Sequence, residues 1–233
     1  MKFSGLFILS TFIAFTGIAQ QDSVQNPSVT SKYKIYKNQI RLDSSKRMLE
    51  LKTLIPNLIY DLRYAGTNNF VQRMMYPKNT LFTFLRLPAA IALQKAQQDL
   101  NEKGLGLKIF DAYRPFSVTV KFWKLIHDER YVANPAKGSG HNRGIAIDLT
   151  IINLKTGDEL NMGTGFDSFT DTAHPAFTNL PAEVLQNRKL LRSTMEKYGF
   201  VIFETEWWHY YLKDGEWFEL LDIDFKKLEK ASK

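Results

Sequence analysis

The chain has 233 residues, 44% of them hydrophobic and 13% aromatic, enough for one domain with a substantial core and no composition shift that asks for two. Its 31 Lys+Arg against 24 Asp+Glu give a formal charge of +7, but the cations are scattered in runs no longer than a pair such as Lys226-Lys227, so no nucleic-acid partner is expected. It contains no cysteine, which excludes a disulfide scaffold and leaves only nitrogen and oxygen ligands for any metal.

In chain order, Lys2, the apolar stretch Leu6 to Ile18 and the small residues Gly17-Ile18-Ala19 read as a signal peptide over residues 1–19. That stretch falls short of the ~20 apolar residues a spanning helix needs. The expectation is an exported protein, periplasmic or secreted, with no stable membrane insertion after cleavage. No cysteine follows the cleavage position, so no lipid anchor is expected. Residues 20–31, polar and interrupted by Pro27, read as a tail ahead of a folded domain over residues 32–233.

Leu54 to Tyr64 mixes β-branched and aromatic residues and predicts a strand, and Asn68-Asn69-Phe70 predicts a loop. Pro88 opens a helix with Ala89, Leu93, Ala96 and Leu100 on one face, and Gly104 closes it. Leu107 to Ala112 predicts a strand running into the corner Asp111 to Pro115. Ser117 is then the expected N-cap of a helix with Val118, Phe122 and Ile126 on its apolar side. A loop over Tyr131 to Gly140 precedes a strand over Ile145 to Ile152, and a polar loop runs from Asn153 to Thr178. Pro181 starts a helix that buries Val184, Leu191, Met195 and Tyr198 and stops at Gly199. Phe200 to Phe203 and Trp207 to Leu212 predict a sheet pair. The fold class is α+β: a single domain with a central antiparallel sheet flanked by helices.

Two stretches carry the chemistry. Ser139 to Thr150, S-G-H-N-R-G-I-A-I-D-L-T, places His141 and Asp148 at the mouth of an apolar run, where an unpaired carboxylate is costly. Glu206 and His209 stand three apart in E-T-E-W-W-H-Y-Y. Catalytic zinc takes three protein ligands and leaves a fourth position open. His141, Asp148 and His209 form the only well-matched set. His127, on the polar side of a helix, and His174, before Pro175 in the long loop, are weaker candidates. An odd spacing of seven would turn His141 and Asp148 to opposite faces of one strand, so they converge only if Gly144 bends the chain. Glu206 is expected near the metal without ligating it, through a bulge or strand end. Arg114, at a strand-to-helix corner, is placed either to steady an oxyanion or to pair with Asp111; position alone does not choose. Spacing alone likewise leaves the structural reading of each metal candidate open.

S-x-H-x-x-G-x-A-x-D followed by E-x-W-H resembles the zinc D-alanyl-D-alanine dipeptidases of the vancomycin-resistance type. These are D-Ala-D-Ala metallopeptidases with a fold like the N-terminal domain of hedgehog. The resemblance includes D-L-R-Y-A-x-x-N-N-F at Asp61 to Phe70, D-A-Y-R-P at Asp111 to Pro115, M-G-T-G-F-D at Met162 to Asp167, and N-R-K-L-L-R-S-T-M at Asn187 to Met195. It implies one Zn2+ per chain on His141, Asp148 and His209, with Glu206 as general base and acid and Arg114 stabilising the transition state. It further implies Ser139 and Tyr64 beside the bound dipeptide, and Asp167 holding the substrate's ammonium group. The implied reaction is hydrolysis of D-alanyl-D-alanine to two D-alanines, linked to cell-wall peptide metabolism. The alternatives are a zinc D,D-carboxypeptidase or endopeptidase on longer peptidoglycan peptides and a non-catalytic wall-binding module. A serine hydrolase built on Ser139 and His141 is disfavoured, because no G-x-S-x-G turn is present. The leader and the segment from Gln20 to about Leu51 depart from the family pattern.

Overall fold

The computed structural model describes residues 27–232; the expected leader over 1–19 lies outside the described residues. The order is β1 (Val29–Thr30), α1 (Tyr33–Leu42), β2 (Met48–Glu50), α2 (Leu51–Leu54), β3 (Ile59–Tyr60), β4 (Phe84–Arg86), α3 (Leu87–Asn101) and β5 (Leu105–Asp111). There follow α4 (Phe116–Ile126), α5 (Gly140–Arg143), β6 (Ala146–Asn153), α6 (Ala182–Lys197), β7 (Phe200–Ile202), β8 (His209–Leu212), β9 (Leu220–Leu221) and α7 (Phe225–Ser232).

The sequence A-I-D-L-T-I-I of β6 is buried at every position, as a strand covered on both faces must be. It is the middle of a five-stranded sheet ordered β3-β5-β6-β8-β7, antiparallel except for the parallel β3–β5 pair. Two helices cover one face. Leu93, Ala96 and Leu100 of α3 and Leu191 and Met195 of α6 join Leu107, Ile109, Ile147, Leu149 and Ile151 of the sheet in one core. Pro88 presets the first turn of α3, and Pro181 stands at the N-cap of α6. Gly104 at φ +71° and Gly199 at φ +87° turn the chain out after each helix. A second core is richer in aromatic rings and gathers Tyr36, Tyr64, Phe84, Tyr113, Phe122 and Phe225 around α1, α4 and α7.

Three local expectations are corrected. Pro56 has no N–H to donate, so the strand expected from Leu54 to Tyr64 shrinks to Ile59–Tyr60. Its flanks are a helical turn, capped by Glu50 accepting from Thr53 N at 2.9 Å, and a 3-10 turn at Arg63–Ala65. Helix α4 begins one residue before Ser117, which does not cap it. The Asp222 carboxylate accepts from Ser117 N at 3.0 Å, doing from 105 positions away what a local side chain would do. Val29 and Thr30, assigned to the tail by composition, form β1, paired in parallel with β9.

Candidate metal centre

Asp111, Asp148 and His209 stand directly opposite one another across β5, β6 and β8. Residues opposed in this way project from the same face of the sheet. The register slips between Ile109 and Asp111, a bulge that brings the end of β5 into the row. Glu206 lies in the turn joining β7 to β8. Phe203 N donates to His209 O at 2.9 Å and His209 N to Glu206 O at 3.3 Å, so the loop folds back over the start of β8.

His141 reaches the same place from outside the sheet. The bend expected at Gly144 is present, but it is made by a single helical turn, so strand parity does not apply to His141. Ser139 Oγ accepts from His141 N at 3.0 Å at the head of that turn, and Gly144, at φ +72°, closes it. A Cβ at residue 144 would lie 2.6 Å from Met48 Sδ, so glycine is needed for space as well as for conformation. His141 Nδ1 lies 2.7 Å from the carbonyl of Ala112. A carbonyl only accepts, so the proton sits on Nδ1 and Nε2 is free as a ligand.

The free atoms converge. His141 Nε2 is 3.5 Å from Asp148 Oδ2 and 3.3 Å from His209 Nδ1, and His209 Nδ1 is 2.9 Å from Asp148 Oδ1. Bonds of about 2.0–2.1 Å to a tetrahedral zinc ion require ligand atoms about 3.3 Å apart. Asp148 Oδ1 is buried and makes no aligned hydrogen bond despite its short approach to His209. Two imidazole nitrogens and a carboxylate that crowd one point suit a cation. His141, Asp148 and His209 are the group of side chains that could hold a metal ion among the described residues.

Burial would raise the Asp148 carboxyl, but the imidazoles of His141 and His209 outweigh it and hold the group below the usual carboxylate range. Burial would lower His209, and the Asp148 carboxylate reverses that shift. Glu206 Oε2 lies 3.6 Å from His209 Nδ1, beside the group formed by His141, Asp148 and His209 but not part of it. Burial pushes the Glu206 carboxyl up to about 7 against the attraction of His209. The three ligand candidates and Glu206 all line a cleft of about 370 Å³.

The other expected site residues line the same cleft. Arg114 is 8% exposed, and its Nε and Nη2 donate to Asp111 Oδ2 at 3.0 and 2.8 Å, so it both pairs with Asp111 and faces the cleft. Tyr64 OH donates to the Asp167 carboxylate, 3.1 and 3.2 Å from its two oxygens. Burial and the nearby charges of Asp148 and Glu206 hold the Asp167 carboxyl well above the usual range. Ser139 is on the wall with its Oγ occupied as the cap of α5. His127 is exposed at the end of α4, its ring against Trp123, and His174 is not on the cleft wall. Sequence reasoning missed the apolar lining of Phe70, Phe122, Phe169 and Phe203, which comes from four separate segments and has no spacing signal.

Residues 44–228 match the family model described as D-ala-D-ala dipeptidase, Peptidase_M15. The chain is 33% identical over 184 residues to a D-alanyl-D-alanine dipeptidase of Escherichia coli (strain K12), covering 79% of this chain and 94% of that protein. It is also 33% identical over 184 residues to a D-alanyl-D-alanine dipeptidase of Enterococcus faecium, covering 70% and 90%. A solved vancomycin-resistance D,D-pentapeptidase in complex with Zn(II) overlays on 60% of this chain and 79% of its own, at TM-score 0.37 and 16% identity.

Proposed function

Because the chain belongs to the D-Ala-D-Ala dipeptidase family, we propose that it hydrolyses D-alanyl-D-alanine to two D-alanines with one zinc ion on His141, Asp148 and His209. The observation that carries this reading is the convergence of His141 Nε2, His209 Nδ1 and the Asp148 carboxylate, one ligand atom from each lying within 4.8 Å of the others, with Glu206 beside them and the Arg114 guanidinium on the same cleft wall. Zinc held there supplies a Lewis acid that makes water acidic near neutrality.

The side chains divide the remaining work. Glu206 takes the proton of the attacking water and returns it to the departing amine, which its raised pKa suits. Arg114 steadies the negative charge that develops on the carbonyl oxygen. Asp167, held by Tyr64 OH, takes the ammonium end of the substrate, and Ser139 lies beside the bound dipeptide. The positive charge of that ammonium favours the ionised Asp167 carboxylate over the protonated form that burial favours before substrate binds. A cleft of about 370 Å³ is at the small end of ligand sites and favours a dipeptide over a longer wall peptide. The leader-like segment 1–19 supports an exported enzyme acting on peptides released from the cell wall.

The test is release of D-alanine from D-Ala-D-Ala by the purified chain. Activity is expected to vanish in chelator and return with zinc, and a pentapeptide ending in D-Ala-D-Ala is expected to be a poor substrate. Turnover unaffected by chelator would sink the metal reading, and pentapeptide cleavage at the dipeptide's rate would make the enzyme a carboxypeptidase.

A further inference from the structure

Of the three buried carboxylates among the described residues, Glu50, Asp111 and Asp148, only Asp111 stands beside the cleft without a part in the proposed chemistry. It is fully enclosed, and four donors converge on it. Oδ1 accepts from Ala112 N at 3.0 Å and, in a short hydrogen bond, from Tyr76 OH. Oδ2 accepts from Arg114 Nε at 3.0 Å and Nη2 at 2.8 Å.

Two of the three guanidinium nitrogens are thereby fixed. The rings of Tyr64 and Phe122, each 5.1 Å from Arg114 Cζ, hold the guanidinium from its sides. The backbone is tied as well: Arg114 N donates to His141 O at 3.2 Å, and Asn142 Nδ2 donates to Arg114 O at 2.8 Å. Nη1 is the guanidinium nitrogen that Asp111 does not hold, on a side chain that lines the cleft. Arginine is long and flexible, and a cation aids an oxyanion only if it is in place before charge develops. Asp111 also occupies the strand row of Asp148 and His209, and its Oδ2 lies 3.7 Å from His141 Nδ1.

We infer that Asp111, itself held by Tyr76, is the positioning residue of Arg114: it clamps Nε and Nη2 so that Nη1 faces the reacting carbonyl in register with the metal ligands. The inference rests on the reading of Arg114 as the oxyanion's partner. Asp111 touches no substrate and acts through Arg114. The competing role is charge neutralisation alone, which would affect folding and leave turnover per zinc-loaded site intact.

The test compares zinc content, zinc affinity by chelator competition, and kcat and KM for D-Ala-D-Ala. The proteins are wild type, Asp111→Asn, Asp111→Glu, Arg114→Lys and the Asp111→Asn/Arg114→Lys double variant. Asp111→Asn is expected to keep one zinc per chain and to lose on the order of 10²-fold in kcat, with KM changed no more than about threefold. In the Arg114→Lys background the same substitution should cost less than about threefold, because the residue it positions is already gone. Asp111→Glu keeps the charge but displaces it by a methylene, and its kcat should fall as well. If Asp111→Asn does not fold or load zinc, this second variant decides the matter. Normal kcat in a zinc-loaded Asp111 variant, or losses that multiply fully in the double variant, would overturn the inference. Absence of turnover by zinc-loaded wild type would instead overturn the functional reading, and the inference with it.

Discussion

Replacing Glu206 with glutamine keeps the size of the side chain and removes only its capacity to take a proton. Glu206 Oε2 lies 3.6 Å from His209 Nδ1 but does not belong to the converging group His141, Asp148 and His209, so zinc stoichiometry should not change. A positioned general base and acid contributes about 10²–10⁴ in rate. That range corresponds to about 3–5 kcal/mol of barrier. The loss should fall on kcat, since nothing in the geometry gives Glu206 a hold on the ground-state substrate. The pH profile carries the sign. Burial raises this carboxyl to about 7, and only its ionised form accepts a proton, so activity falls as pH drops through its pKa. A bound cation favours the ionised form, which puts the acid limb of the zinc enzyme at or below about 7. The assay is D-alanine release against pH for wild type and Glu206→Gln at matched zinc content. Turnover by the variant within tenfold of wild type, or loss of its zinc, would refute the assignment.

Asp167 tests the cleft through stability. Folding raises its carboxyl well above an unfolded value of about 3.9, so the folded state keeps a proton that the unfolded chain sheds. This group therefore costs stability as pH climbs from about 4. Asp167→Asn should raise the urea midpoint at pH 8, leave it near wild type at pH 4, and raise KM for D-Ala-D-Ala. Gly144→Ala forces a side chain into left-handed backbone, about 1–2 kcal/mol, and a Cβ against Met48, about 1–3 kcal/mol more. Calorimetry should show a marked fall in Tm, and an unchanged Tm would refute the close packing. Zinc at 100 times its Kd should stabilise wild type by about 2.7 kcal/mol. Asp148→Asn should abolish most of that gain, and an equal gain in the variant would place the ion elsewhere.

The helices α3 and α6 were legible because proline and glycine mark their ends and apolar residues recur at helical spacing between them. Strand β6 was legible as an unbroken apolar run. The ligand candidates could be picked out because only four histidines compete for the role. How they meet was not legible. Parity along one strand demanded a bend, but nothing local distinguishes a kinked strand from the helical turn that carries His141. The capping of α4 by Asp222 and the β1–β9 pairing depend on residues far apart in the chain, which periodicity does not register. Asp111 was visible only as a possible partner for Arg114. Its hold from Tyr76, 35 positions away, leaves no local trace in the chain.

The pairing of β1 with β9 joins Val29 to Leu220, across almost the whole length of the chain. Closing so long a loop is entropically costly until the intervening structure has collapsed. The ribbon is therefore expected to act as a clasp that fastens late. It also brings the N-terminal entry of the domain alongside residues that follow the cleft-lining Glu216. Cutting the clasp, for instance by deleting residues up to Thr30, should speed unfolding more than it slows folding.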